Sequence, residues 1–275
     1  MRATRLRCGL NPIHSVSSDF VETIQVTRAD GVVTITLDRP AKKNAFNSVM
    51  WDELLFTFRE IGASTDDRAV VITGAAGEFC SGADLSGGEQ TKHQLANMRH
   101  VGNVALALHR IPQPIIAKVR GVAVGAGCNL ALGCDLVVAS DTARFSEIFA
   151  RRGLSIDFGG SYLLPRRVGV HKAKELALFA DIINATEAER IGLVNRVVPD
   201  AELDAFVDDW ARRLAAGPPI ALAMTKRMLD NSMTVTMEQA LDDESMAQTV
   251  NFGTKDTIEA MIAFLEKRDP SFRGH

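Results

Sequence analysis

No stretch of about 18 consecutive apolar residues occurs in the 275-residue chain, which argues against a membrane-spanning helix. Positive charge is not in excess either. The 31 Lys and Arg stand against 34 Asp and Glu, a formal net charge of −3, and such totals do not suggest the basic face that nucleic acid requires. The four cysteines, Cys8, Cys80, Cys128 and Cys134, form no C-x-x-C pair and have no histidine at metal-ligand spacing. They read as free thiols in a reducing compartment, and nothing in the chain calls for a metal. His93, His100 and His109 fall at roughly helical spacing, but Pro112 follows and no acidic residue recurs with them; exposed or core-edge positions are expected. Residues 1–18 contain Arg2, Arg5 and Arg7 and no acid. That is loosely the pattern of an organellar transit peptide, and equally that of an unstructured extension or a start codon placed too early. A continuous secretory core is missing, so a cytoplasmic protein is expected, with organellar import as the alternative.

What is present is an alternation of short β-rich and helical runs. Residues 24–28 and 32–37 read as two strands joined at Asp30-Gly31, a strong hairpin signal. Met50, Leu54, Leu55, Phe58 and Ile61 share one helical face. Strands are expected at 69–73, 115–119, 136–139 and 143–145, with helices at 95–108 and from about 127. Repeated strand-strand-helix units of this kind predict a layered α/β core over residues 19–200. From 201 to 275 the periodicity is helical (202–215, 220–230, 237–251 and 254–267), and Pro218-Pro219 separates the first two runs. The large apolar faces of these helices are expected to pack on the core or on a neighbouring subunit.

Two glycine turns then draw notice, "FCSGADL" (79–85) and "GVAVGAG" (121–127), each following a strand. Small residues let a backbone approach something closely. Each turn can therefore offer main-chain N–H groups to an anion or a polarised carbonyl, and the second also opens a helix whose first amides carry partial positive charge. Taken alone, each turn reads first as tight packing. Around the second there is almost no side-chain chemistry: Asn129 is the one polar side chain before Asp135.

Several ordered motifs together say more. "LDRPAKKNAF", "EFCSGADL", "GVAVGAGCNLALGCDLVVAS", "ARFSE", "GGSYLLPRRVG", "AERIGLVNRVV" and "AFLEKRDPSF" closely resemble the enoyl-CoA hydratase/isomerase family, the crotonases, over residues 24–272. The resemblance implies a crotonase-like spiral of ββα units, a C-terminal helical region that mediates trimers or dimers of trimers, and an acyl-CoA ligand of fatty acid metabolism. It implies no cofactor beyond the coenzyme A of the substrate. It further implies an oxyanion hole for the thioester oxygen, whose two main-chain amides map to Ala83 and Ala126. Ser81, Gly82, Asp84, Leu85, Val122 and Gly125 are then expected to contact the adenine and thioester portions, and Lys43, Phe252 and Lys267 to lie near the ligand, Lys267 across a subunit interface.

The resemblance also exposes a departure. The two glutamates of family hydratases fall on Asn129 and Phe149, neither of which exchanges protons as a carboxylate does. Glu147 replaces the second only if the alignment slips by two residues. The remaining candidate is Asp157, between Ile156 and Phe158, which reads either as the N-cap of a following helix or as an acid/base against an apolar acyl pocket. In dienoyl-CoA isomerases and the ring-epoxide isomerase of phenylacetate degradation, a similar position carries such an aspartate. Isomerisation by one aspartate is therefore the expected reaction. A hydratase with a rearranged site, using Glu147 or a water held by Asn129, and a binding protein without catalysis remain as alternatives. Asn129 itself is expected either to meet ligand or water or to structure the start of its helix.

Overall fold

The computed structural model describes residues 21–86 and 93–275; the extension read over 1–18 lies outside the described residues. The Asp30-Gly31 hairpin forms between β1 (Ile24–Ala29) and β2 (Val32–Leu37), and both turn residues take positive φ, 51° and 77°. In β2, Val33, Ile35 and Leu37 are wholly buried while the alternate residues are half-buried, the two-residue period of a sheet with unequal faces. The next strands are β3 (Ala69–Gly74), β4 (Ile115–Val119), β5 (Val122–Val124), β6 (Leu136–Ser140), β7 (Arg144–Ser146), β8 (Ile183–Asn184) and β9 (Arg196–Val198). A six-stranded sheet runs β1-β2-β3-β4-β6-β9, parallel from β2 onward, and a three-stranded sheet runs β5-β7-β8. Each strand of the pairs β4/β5 and β6/β7 thus enters a different sheet, which is the expected repeating ββα pattern.

Helices fill the space between. α1 (Ser48–Ala63) begins at Asn47, whose side chain accepts a hydrogen bond from Met50 N at 2.9 Å, and buries Met50, Leu54, Phe58 and Ile61. α2 (Gln94–His109) is capped by His93, whose ring accepts from Leu95 N. His100 does have an acidic partner, contrary to expectation: its Nε2 lies 2.8 Å from Asp52 Oδ1 on α1. The pair is formed by packing between helices distant in sequence. α3 (Ala126–Leu132) is buried at all seven positions, as expected of a helix apolar all round. α4 (Gly160–Phe179) and the short α5 (Ala185–Arg190) complete the spiral.

The boundary read near residue 200 does not interrupt the packing. α6 (Leu203–Ala215) lays Leu203, Val207 and Ala211 on Val71, Ile116, Val138 and Val198 of the large sheet. With its other face in the main core, the sheet is buried on both sides, hence the nearly continuous apolar runs of β3 and β4. α7 (Pro219–Asn231) is tied down by Lys226, which meets Asp135 at 2.8 Å and the Gln113 carbonyl at 3.0 Å. α8 (Met237–Phe252) and α9 (Lys255–Glu266) instead leave Met237, Leu241, Met246, Ile258, Met261 and Leu265 exposed. Among the described residues, no helix is long and apolar enough to cross a membrane.

The strands not anticipated, β5, β8 and β9, are two or three residues long. Too short for a two-residue period to register, they owe their conformation to the partner strands alongside.

Candidate active site

The two glycine turns lie side by side because β-type hydrogen bonds lace them together. Cys80 N donates to the Val122 carbonyl at 2.8 Å and Val124 N to the Cys80 carbonyl at 3.0 Å, while on the far side Phe46 N donates to Gly82 O and Asp84 N to Phe46 O. Ala83 is thereby held opposite Phe46. A Cβ built on Gly82 would fall 2.8 Å from the Val124 carbonyl oxygen and 3.8 Å from Ala126 N, so the first turn rests directly on the start of α3. Gly82 has φ 92° and Gly125 φ 56° with ψ −126°, conformations that side chains disfavour. Gly82→Ala is expected to destabilise the protein by about 1–3 kcal/mol, visible as a fall in Tm of about 2–4 °C per kcal/mol; an unaltered melting curve would contradict this close approach.

Ala126 is the first residue of α3, so its N–H has no acceptor within the helix. Neither it nor the N–H of exposed Ala83 donates to any acceptor among the described residues. Two free amides therefore sit on adjoining backbone segments, one backed by a helix dipole.

The side chains expected around the turns divide into braces and exposed groups. Glu78 accepts from Val122 N at 2.8 Å and from Lys43 Nζ at 2.8 Å. Burial pushes its carboxyl up, but the Lys43 and Val122 hydrogen bonds and the Lys43 charge outweigh that and hold it below the usual range. Lys43 is thus paired within the chain, although 59% exposed. Asp84 is braced by Ser86 and by Arg39 at 2.9 Å, and these bonds, Ser86 foremost, keep it firmly ionised. The Ser81 hydroxyl donates to the Lys42 carbonyl, and Leu85 is exposed. Phe252 ends α8 and Lys267 follows α9 with φ 57°, both exposed in the single chain. Phe149 packs its ring within 3.6 Å of where a Gly125 Cβ would stand, an apolar surface against the second turn.

Asp157 is not a helix cap. The N-cap of α4 is Gly159, and no side chain caps it. The Asp157 main-chain carbonyl accepts from Gly160 N at 2.9 Å, while its Oδ1 is buried without a partner. Desolvation lifts the carboxyl to about 6. The next residue, Phe158, holds a positive φ of 48° and stacks on Trp51 (centroids 5.4 Å) and Phe46 (6.4 Å). Since Phe46 pairs with Ala83, these rings connect the Asp157 segment to the first turn.

Asn129, one helical turn beyond Ala126, is wholly buried. It is therefore not a ligand-facing side chain in the single chain; its Nδ2 donates to the Asp157 carbonyl at 3.0 Å and to Glu147 Oε2 at 3.3 Å. Glu147, only 2% exposed, lies in the same cluster. Burial drives its carboxyl up to about 7, against hydrogen bonds from Cys128 and Asn129 that lower it, and the nearby Asp157 charge adds to the rise. Sequence reasoning named Glu147 only as a substitute hydratase carboxyl and missed the contribution of Phe158; a Phe beside glycines carries no local signal. No group of three or more potential metal ligands occurs among the described residues.

The comparisons with known proteins agree with this construction. The family model described as enoyl-CoA hydratase/isomerase matches residues 27–275. The "Probable enoyl-CoA hydratase" of Rhodobacter capsulatus is 39% identical over 254 residues, covering 92% of this chain and 98% of that protein. The 1,2-epoxyphenylacetyl-CoA isomerase of Escherichia coli is 35% identical, covering 89% and 95%. A crystal structure of an enoyl-CoA hydratase from Bacillus anthracis superposes with a TM-score of 0.88 at 32% identity, over 92% of this chain and all of that one. With its ββα spiral, its paired glycine turns and this match along nearly the whole described chain, the protein belongs to the enoyl-CoA hydratase/isomerase family.

Proposed function

We propose that the protein is an enoyl-CoA isomerase in which Asp157 moves the proton. The observation that carries this reading is the Asp157 carboxyl, free of any capping duty, unpartnered and desolvated beside the helix that bears the free Ala126 amide. A carboxylate at such a position removes a proton beside the thioester carbonyl, or along its vinylogous system. The electrons of the broken C–H bond pass onto the thioester oxygen, where the Ala83 and Ala126 N–H groups stabilise the enolate. Protonated Asp157 then returns the proton to another carbon, and the double bond shifts. Phe149 in place of a carboxylate makes that side of the turn apolar, which favours the shift over addition of water. The main chain of Ser81–Leu85 and of Val122–Ala126 would seat the thioester and adenine portions. Lys43 and Lys267 would neutralise coenzyme A phosphates, and the apolar faces of α8 and α9 would assemble a trimer that completes the ligand site near Phe252.

Incubation with a 2-enoyl-CoA or 3-enoyl-CoA in D2O tests the reading. Deuterium entering the acyl chain, with no oxygen-18 taken up from labelled water, is the expected result. Binding without exchange for any acyl-CoA would refute it in favour of a carrier. The base form of Asp157 is needed, so kcat/KM is expected to rise with pH through about 6. A profile flat through that region would remove Asp157 from the rate-determining proton transfer.

Hydration is the second reading, favoured by the hydratase names of the Rhodobacter and Bacillus relatives and by the second carboxyl, Glu147, beside Asp157. Its mark is oxygen-18 from water in a 3-hydroxyacyl product.

A further inference from the structure

Glu147 takes no part in the reaction as drawn, yet it is a carboxyl buried to 2% exposure. It borders a small cleft with Cys128, Phe145, Ser146, Leu164, Leu176 and Ile183. The titratable groups that face it are Cys128 from α3 and Asp157 from the segment before α4; burial foremost holds Cys128 un-ionised. Two polar atoms in this cluster stand out. Asn129 Oδ1 and Glu147 Oε1 are both buried with no donor in hydrogen-bonding geometry, although the same two side chains already share the bond from Nδ2 to Oε2 and the Cys128 thiol is near enough to Glu147 to lower its carboxyl. Leaving two such atoms orphaned is costly. One proton on Glu147 Oε1 would remove both faults at once, since a carboxylic acid and a carboxamide join through two antiparallel hydrogen bonds, O–H to O and N–H to O.

We propose that Glu147 is a positioning residue: as an uncharged acid it forms this two-bond pair with the Asn129 amide, and the pair fixes the Asp157 main chain to the helix that carries the Ala126 N–H. The second proton of Asn129 Nδ2 already reaches the Asp157 carbonyl at 3.0 Å, and Gly160, where a Cβ would fall 2.4 Å from Nδ2, is the residue that leaves room for the amide there. Base and oxyanion donor are thereby held by one amide. Loss of the Glu147 proton breaks the pair, places a second negative charge beside Asp157 and releases the amide. The rise of its carboxyl to about 7 puts that loss within reach of ordinary assay conditions, so turnover falls on the alkaline side. The role of Asp157 in this inference rests on the proposed function; the acid–amide pair does not.

Three proteins test it: wild type, Glu147→Gln and Glu147→Leu. Gln replaces the acid by an amide that makes the same two bonds and cannot ionise. Glu147→Gln is expected to keep kcat within about threefold while losing the alkaline fall of the wild type. Glu147→Leu is expected to lower kcat about 10–100-fold, the scale of a small misplacement of reacting groups, with KM within about threefold. An alkaline fall that persists in Glu147→Gln, or a Gln variant as impaired as the Leu variant, would overturn the proposal. A substrate-free readout separates this failure from failure of the isomerase reading. The infrared difference between wild type and Glu147→Gln, at about pH 6 where a raised carboxyl remains protonated, is expected to show the C=O band of a protonated acid that vanishes in alkali. A carboxylate band there instead would overturn the pair even if the enzyme isomerises enoyl-CoA.

Discussion

Replacing Asp157 with Asn is expected to lower the rate of deuterium exchange into an enoyl-CoA about 100- to 10,000-fold, the range over which a positioned acid/base contributes, while coenzyme A binding changes by less than about threefold. Asn is nearly isosteric and the Asp157 carboxylate accepts no hydrogen bond among the described residues, so little else depends on the charge. The carbonyl that Asn129 and Gly160 use belongs to the main chain and survives the substitution. Removing a desolvated carboxyl that burial has lifted to about 6 relieves an unfavourable ionisation, so Tm is expected to hold or rise near neutral pH. Exchange measured by mass spectrometry, with binding followed by calorimetry, separates the two effects. Full exchange in the Asn variant would require another base, and Glu147 would be next to examine.

The second large effect is expected from Ala126→Pro. Residue 126 is the first of α3, a position at which proline is well tolerated because its fixed φ suits the helix and its N–H has no partner there. The substitution removes one hydrogen-bond donor and adds no polar group to the site. If that N–H supports the enolate oxygen, kcat falls by about 100- to 1,000-fold, equivalent to about 2.7–4 kcal/mol of lost transition-state stabilisation. The comparison that decides is between reaction and ground-state binding: the loss should appear mostly in kcat, with affinity for a saturated acyl-CoA much less altered. Equal losses in both would mean that proline blocks the ligand, and unaltered kcat would show that the amide plays no part. Far-UV circular dichroism of the variant checks that α3 still forms.

These two residues were reached by different routes, and the difference is physical. The turn before Ala126 was legible because "GVAVGAG" is a local instruction, a glycine that tolerates positive φ followed by an apolar run, which makes a turn and then a helix; the role of the Ala126 amide came only with the family resemblance. The hairpin at Asp30-Gly31, the face of α1 and the helices after residue 200 were legible for the same reason, since each is set by turn chemistry or by a period within a short window. Asp157 was visible as a candidate, but cap and acid were indistinguishable until Gly159 was found in the capping position. A cap is defined by which N–H groups a side chain reaches, and one residue of offset, which φ at Gly159 decides, reverses the answer.

Glu147, Asn129 and Phe158 mark what only the tertiary structure decided. The sequence alone established the strand-strand-helix rhythm and the two glycine turns, properties of neighbouring residues and short periods, and its family resemblance showed that residues 129 and 149 lack the hydratase carboxylates. It could not show that residues 129, 147 and 157 meet, because desolvation, orphaned oxygens and a raised carboxyl arise from chain segments brought together across tens of residues, and burial is a property of the assembled core and of no single stretch within it.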